Sequence, residues 1–215
     1  MFTGIVTALG QIISLNDIKK VVASRAYVVT EVVVRVFYSM RGGKNLKWFA
    51  GDKLGASICV NGVCLTVIEV RKNGLDCSFH VMNETKKICK FFKGQYVNLE
   101  KAVGVGTDLS GDIMLGHIAH TSKITLIRSD GSALILRILV KNEFMNKLTY
   151  KGTVFIDGMS LTVSALNKKE KYLEVSLLPH TIENTTSTYV EVGQQVNLDF
   201  RCSTTESNNL PGKRK

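Results

Sequence analysis

The chain is 215 residues long, 45% hydrophobic, with a formal net charge of +10. This is ordinary globular composition with room for one or two compact domains, and no apolar run is long enough to cross a membrane as a helix. The positive balance invites an anionic partner such as nucleic acid. The excess, however, sits in short clusters (Lys86, Lys87, Lys90 and Lys93; Lys168, Lys169 and Lys171; Lys213, Arg214 and Lys215) without the interleaved aromatics of a single-strand platform, Phe91-Phe92 excepted. A solvated basic surface is the favoured reading, with no nucleic acid and no membrane as partner.

In chain order, the opening MFTGIVTALG has neither a basic n-region nor a long apolar h-region, so a soluble, cytoplasmic chain is expected. Residues 27–37 are rich in valine and read as one or two strands, and residues 40–49 suggest a short helix. Asn61-Gly62 and Asp157-Gly158 signal tight hairpins, because these residue types accept positive φ. Ile124 and Leu126 alternate with Thr125, and Leu173, Val175 and Leu177 alternate with Glu174 and Ser176, the period of a half-buried strand. Residues 141–148 suggest a second short helix, and the polar stretch 202–215 is expected to be disordered. Many short strands with turns between them argue an all-β chain with a small barrel in each half. The cysteines (Cys59, Cys64, Cys77, Cys89 and Cys202) are odd in number and show no CxxC, which points to reduced thiols. His117 and His120 would face opposite sides of a strand, which argues against a metal site.

The chain repeats itself. VNGVCLTV at 60–67 returns as IDGMSLTV at 156–163, with Cys64 and Ser160 standing 96 residues apart. Thr85 and Thr181 keep that offset, whereas YVNLE and QVNLD are offset by 99, so the first half is three residues short between Thr85 and Gly94. TGIV at 3–6 echoes GHIA at 116–119, which sets Gly4 opposite His117. Two barrel domains, 1–107 and 108–201, followed by a basic tail at 202–215, are expected.

Leu65, Val67, Leu161 and Val163 read as core. Cys64, Thr66, Ser160 and Thr162 alternate with them and therefore share one strand face in each half. Either the two halves carry related pockets for related ligands, or threonine simply favours strands; the repeat alone leaves both open. His117 breaks the repeat and is an acid–base candidate or an ordinary strand histidine. Cys64 is either a nucleophile, if a cation lowers its pKa from about 8.5, or a small core residue. No nucleophile elbow, P-loop or dinucleotide fingerprint follows a suitable strand.

MFTGIV at the start, NGVCLTV, GHI, KGTVFIDGMSLTV, LLPHTIENTT and VGQQVNLD, in that order, resemble the riboflavin synthase family from residue 1 to about residue 199. The resemblance implies two tandem Greek-key, six-stranded antiparallel β-barrels with short helices, assembled as a homotrimer. It implies a transferase in which two molecules of 6,7-dimethyl-8-ribityllumazine exchange a four-carbon unit, one becoming riboflavin and the other a pyrimidinedione, without metal or organic cofactor. The family's working site lies between the first barrel of one subunit and the second barrel of its neighbour. By matching position, Gly4, Ile5 and Val6 would join Cys64, Leu65, Thr66, His80, Val81, Met82, Asn83, Glu84 and Thr85 in a first pocket. Gly116, His117, Ile118, Lys151, Ser160, Leu161, Thr162, Ser176, Leu177, Leu178, Pro179, His180 and Thr181 would form the second. His117 would shuttle protons, Ser160 and Thr162 would hydrogen-bond the heterocycle or a nucleophilic water, Cys64 would assist the molecule in the other barrel, where Ser160 has no thiol to offer, and Phe2 would pack near the stacked rings.

The chain departs from the family pattern at four places. Asp112 replaces a histidine, KKICKFFKG replaces a threonine-rich stretch, Arg201 stands where an aspartate is usual, and the tail lacks the amphipathic pattern of the family's C-terminal helix. The alternative reading is a non-catalytic lumazine- or riboflavin-binding protein of the same fold.

Overall fold

A computed structural model of the chain describes residues 1–40, 47–104, 106 and 110–200. Most of the helix expected at 40–49, Arg201 and the tail expected to be disordered lie outside these residues. The first barrel comprises β1 (Ala8–Val22), β2 (Arg25–Ser39), β3 (Ser57–Val60), β4 (Val63–Arg71), β5 (Asp76–Val81) and β6 (Tyr96–Lys101). The second comprises β7 (His120–Asp130), β8 (Ala133–Leu139), β9 (Thr153–Ile156), β10 (Met159–Asn167), β11 (Tyr172–Leu177) and β12 (Gln195–Asp199). The first closes in the order β1-β2-β5-β4-β3-β6 and the second in the order β10-β11-β8-β7-β12-β9, which is the same antiparallel Greek-key circuit entered at a different strand. Each has a short helix in the same place, α1 (Asn83–Ile88) and α2 (Pro179–Glu183).

The expected strand at 27–37 is a single strand, β2, and residues 142–147 form a 3-10 helix where a short helix was expected. Alternation fills each barrel. Val63, Leu65 and Val67 point inward from β4, while Leu173, Val175 and Leu177 do so from β11. Glu174 departs from that alternation, being only 7% exposed. The Arg137 guanidinium, 2.8–2.9 Å away, supplies the partner that makes this burial tolerable.

The two hairpin turns meet between the barrels. Asn61-Gly62 and Asp157-Gly158 all have positive φ, from 46° to 81°, as a two-residue type I′ turn requires. Asn98 on β6 donates its side-chain NH2 to the Asp157 carbonyl at 2.9 Å, and Asn197 on β12 donates to the Asn61 carbonyl at 2.9 Å. Each turn also accepts locally: Asn61 Oδ1 takes the Asn98 N–H and Asp157 Oδ1 takes the Asn197 N–H. The bonds are related as by a twofold axis, so the carbonyl and the side-chain oxygen of each turn both find a donor.

Candidate functional site: two straps exchanged between barrels

The segments ahead of β1 and β7 run across the opposite barrel. Gly4 O accepts the Ser160 N–H at 2.8 Å, and Gly116 O accepts the Cys64 N–H at 2.9 Å. Val6 is buried in the core of the second barrel and Ile118 in the core of the first. The straps themselves touch where Phe2 and Met114 exchange both backbone bonds at 2.8 and 2.9 Å. Glycine is required at both crossings. A Cβ on Gly4 would stand 2.6 Å from Ser160 Cβ, one on Gly116 would stand 2.8 Å from Cys64 Cβ, and both glycines have φ near +75°.

This crossing corrects the grouping expected from sequence. Gly4, Ile5 and Val6 lie with Ser160, Leu161 and Thr162 of the second barrel. Gly116, His117 and Ile118 lie with Cys64, Leu65 and Thr66 of the first. It also corrects the strap register. Gly4 corresponds to Gly116, so the counterpart of His117 is Ile5, not Gly4. The letters TGIV and GHIA align on the shared isoleucine, whereas the backbone aligns on the glycine that must pass over a neighbouring strand.

Two slots follow. The first-barrel slot has His117 exposed at its strap, Cys64 partly exposed and Thr66 exposed. Next to β4 runs β5, and in the turn from β5 into α1 His80 and Thr85 are half-buried while Met82, Asn83 and Glu84 are exposed. Burial lowers the His80 pKa, with Lys20 adding to the effect and Glu31 opposing it. The second-barrel slot has Ile5 exposed at its strap, Ser160 and Leu161 partly buried, and Thr162 exposed. Ser176, Leu178, Pro179 and His180 are exposed beside it, and Thr181 is half-buried. Lys151 is exposed next to this slot and gives its N–H to the Val163 carbonyl at 2.9 Å.

Several expected contacts belong to the interior instead. The side chains of Val6, Leu65, Val81, Ile118 and Leu177 lie in the barrel cores, leaving only their backbone for a ligand. Phe2 is fully buried with Cys59, Met114 and Phe155, and there it anchors a strap. Two clefts, of about 680 and 1100 Å³, lie elsewhere, the larger lined by Phe92, Tyr96, Tyr189 and Val192. Neither is lined by a candidate residue; each slot has exposed side chains on both its strap and its strand, His117 and Thr66 in one, Ile5 and Thr162 in the other.

Two further residues shape the slots. Glu100, 5% exposed, accepts the Thr3 N–H at 2.6 Å, the Thr3 hydroxyl at 2.9 Å and the Gly4 N–H at 3.0 Å. It pins the Gly4 strap at the point where it reaches Ser160. Burial raises its pKa, and the three donors oppose that rise. Its sequence signal was present in the repeated YVNLE and QVNLD, where only the valine and leucine look structural. Asp112 accepts a hydrogen bond from the Thr153 hydroxyl, and Thr153 lies directly across from Thr162 on β9. The departure from the family pattern at residue 112 therefore falls at the rim of the second-barrel slot.

The described residues contain no cluster of His, Cys, Asp and Glu fit for a metal ion and no helix long and apolar enough to cross a membrane. The lumazine binding domain model matches the chain twice, over residues 3–102 and 115–200. Riboflavin synthase of Bacillus subtilis is 33% identical over 202 residues, covering 93% of this chain and 84% of the relative. The Escherichia coli riboflavin synthase is 31% identical over 204 residues, covering 93% and 86%. Among solved structures, LumP complexed with riboflavin superimposes with a TM-score of 0.74 at 18% identity, over 93% of this chain and 99% of that one, a likeness of fold. With a lumazine binding domain in each half and both halves aligned to enzymes of one kind, the chain belongs to the riboflavin synthase family.

Proposed function

We propose that the chain is an active riboflavin synthase that takes two molecules of 6,7-dimethyl-8-ribityllumazine, moves a four-carbon unit from one to the other, and releases riboflavin and the pyrimidinedione. The observation that carries this reading is the pair of slots, alike in backbone and unlike in side chain. Gly116 crosses Cys64 as Gly4 crosses Ser160, yet one slot offers an imidazole and a thiol and the other an isoleucine and a hydroxyl. A dismutation needs two copies of one compound in opposite roles, and such slots supply related cradles with different chemistry.

The substrate is its own electron sink, because its ring system delocalises the anion left when the C7 methyl loses a proton. The protein's work is to orient two rings and move protons, and orientation alone is worth up to about 7–11 kcal/mol of barrier. His117 serves as the proton carrier in the first-barrel slot, a role open to an imidazole near neutral pH. Cys64 stands beside it under the same strap. Ser160 and Thr162 hold the second ring or the water that attacks it. Strap backbone, with its carbonyls committed to the opposite strand, gives each ring a fixed edge.

Both slots have exposed side chains on strap and strand, which suits a working site completed by the second barrel of a neighbouring subunit. We therefore place the enzyme in a homotrimer, acting in the cytoplasm. Purified protein incubated with the lumazine should yield riboflavin absorbance, and sizing of the same sample should give three chains. No riboflavin at high protein concentration, with ligand bound, would assign the chain to the binding proteins of the fold instead.

A further inference from the structure

Cys59 and Cys64 stand directly opposite each other on β3 and β4. The two-residue turn makes Val60 and Val63 the closing hydrogen-bonded pair, so the next pair, Cys59 and Cys64, is of the non-hydrogen-bonded kind. The Cys64 N–H agrees, pointing away from β3 to the Gly116 carbonyl at 2.9 Å. In such a pair the Cα atoms are about 4.5 Å apart and the side chains share a face, inside the span of about 4.4–6.8 Å that a disulfide bridges. Both thiols are free, and they share the cluster of Phe2, Met114 and Phe155 beneath the straps. Cys64 is partly exposed and Cys59 is buried. The second barrel has Phe155 and Ser160 at the matching positions and cannot form such a pair.

We propose that Cys59 and Cys64 are a reversible oxidation site for hydroperoxides, and that closing their disulfide disables the first-barrel slot. The Cys64 thiolate attacks one peroxide oxygen, the O–O bond breaks, and hydroxide leaves, becoming water, with a sulfenic acid on Cys64. The Cys59 thiol then attacks that sulfur, its proton passing to the departing hydroxyl as the bond forms. The S–S bond forms, the S–O bond breaks, and a second water leaves. Two thiols and one hydrogen peroxide become one disulfide and two waters, with the two sulfurs together losing two electrons to the peroxide. Cys64 leads because it is the thiol that solvent reaches, and burial holds the Cys59 thiol protonated far into the alkaline range. The bond removes the Cys64 thiol from the slot. It also draws on the strand that Gly116 crosses so closely, and so on the strap that carries His117.

The consequence for turnover rests on the function proposed above; the bond itself does not. The test is brief exposure of the whole protein to hydrogen peroxide, followed by alkylation and trypsin digestion. Cleavage after Lys53 and Arg71 releases both cysteines in one peptide that holds no other. The expected peptide is unalkylated and two hydrogens lighter, and it returns to the doubly alkylated form after dithiothreitol. Turnover should fall at least about tenfold with the oxidation and recover with the reduction. Cys59→Ser and Cys59→Ala should turn over normally in reducing buffer and show no reversible loss. A peptide that stays doubly alkylated, or one oxidised on Cys64 alone, overturns the inference, as does reversible loss that persists in both variants. If the disulfide forms in a protein that never makes riboflavin, the functional reading fails and the oxidation site stands.

Discussion

The two straps make the sharpest comparison in the molecule. One carries Gly4 and Ile5 onto the second barrel, the other carries Gly116 and His117 onto the first, and their backbone bonds to Ser160 and Cys64 differ by 0.1 Å. Backbone that must pass over a strand without a Cβ has been kept in both copies. Two pairs of side chains at the slots have not: Ile5 answers to His117 and Ser160 to Cys64, while Thr162 repeats Thr66. The lesson is that the duplication preserves the cradle and lets the chemistry diverge.

The first way to break the comparison is to erase its asymmetry. His117→Ala should lower turnover by about 10²-fold or more if the imidazole moves the proton. Stability should change by less than about 0.5 kcal/mol, since the residue is exposed. Equal turnover in the variant, measured at saturating substrate, would place the asymmetry outside the chemistry. Next in size are Gly4→Ala and Gly116→Ala, each expected to cost about 3 kcal/mol in urea unfolding, because the new methyl meets a neighbouring strand at a strained φ. Ligand titration of the two variants should show loss in opposite barrels, Gly4→Ala at the second and Gly116→Ala at the first.

Glu100→Gln should cost about 2 kcal/mol, since an amide cannot accept from all three donors that the carboxylate takes. The same change should weaken the second-barrel slot more than the first, readable as a rise in KM larger than the fall in kcat.

The smallest effect sharpens the comparison of the turns. Asp157 does in the second barrel what neutral Asn61 does in the first, accepting an N–H from the facing asparagine. Full burial pushes its pKa up to about 7, the Asn197 N–H opposing. An unfolded aspartate ionises near pH 4, so the folded form holds a proton that the unfolded chain releases. The native state therefore loses stability as pH rises from about 4 to 7 and levels off above. Asp157→Asn should remove that slope and stabilise the protein at pH 8 by on the order of 2 kcal/mol. Parallel unfolding curves at pH 5 and pH 8 check it; a variant that keeps the wild-type slope contradicts it.

Local pattern carried much of this into the sequence. The turns at Asn61-Gly62 and Asp157-Gly158, the inward leucines and valines beside them, and the polar alternation of Cys64, Thr66, Ser160 and Thr162 all follow from a period of two. What did not show was which barrel each strap serves. That depends on a contact between Gly4 and Ser160, more than 150 residues apart, and no local periodicity encodes it. Matching TGIV to GHIA by letters then set the register one residue off. The short helices α1 and α2, five or six residues each, are too brief to show a helical period. Glu100 was visible only as a repeated acidic letter, because its role is to hold backbone N–H groups.

The most direct test of the account is a crystal of the protein soaked with a lumazine analogue that cannot react. One ring against Gly4 and Ser160 and a second against His117 and Cys64 is the predicted result. A ring in the cleft lined by Phe92 and Tyr189, with both strap slots empty, would contradict it.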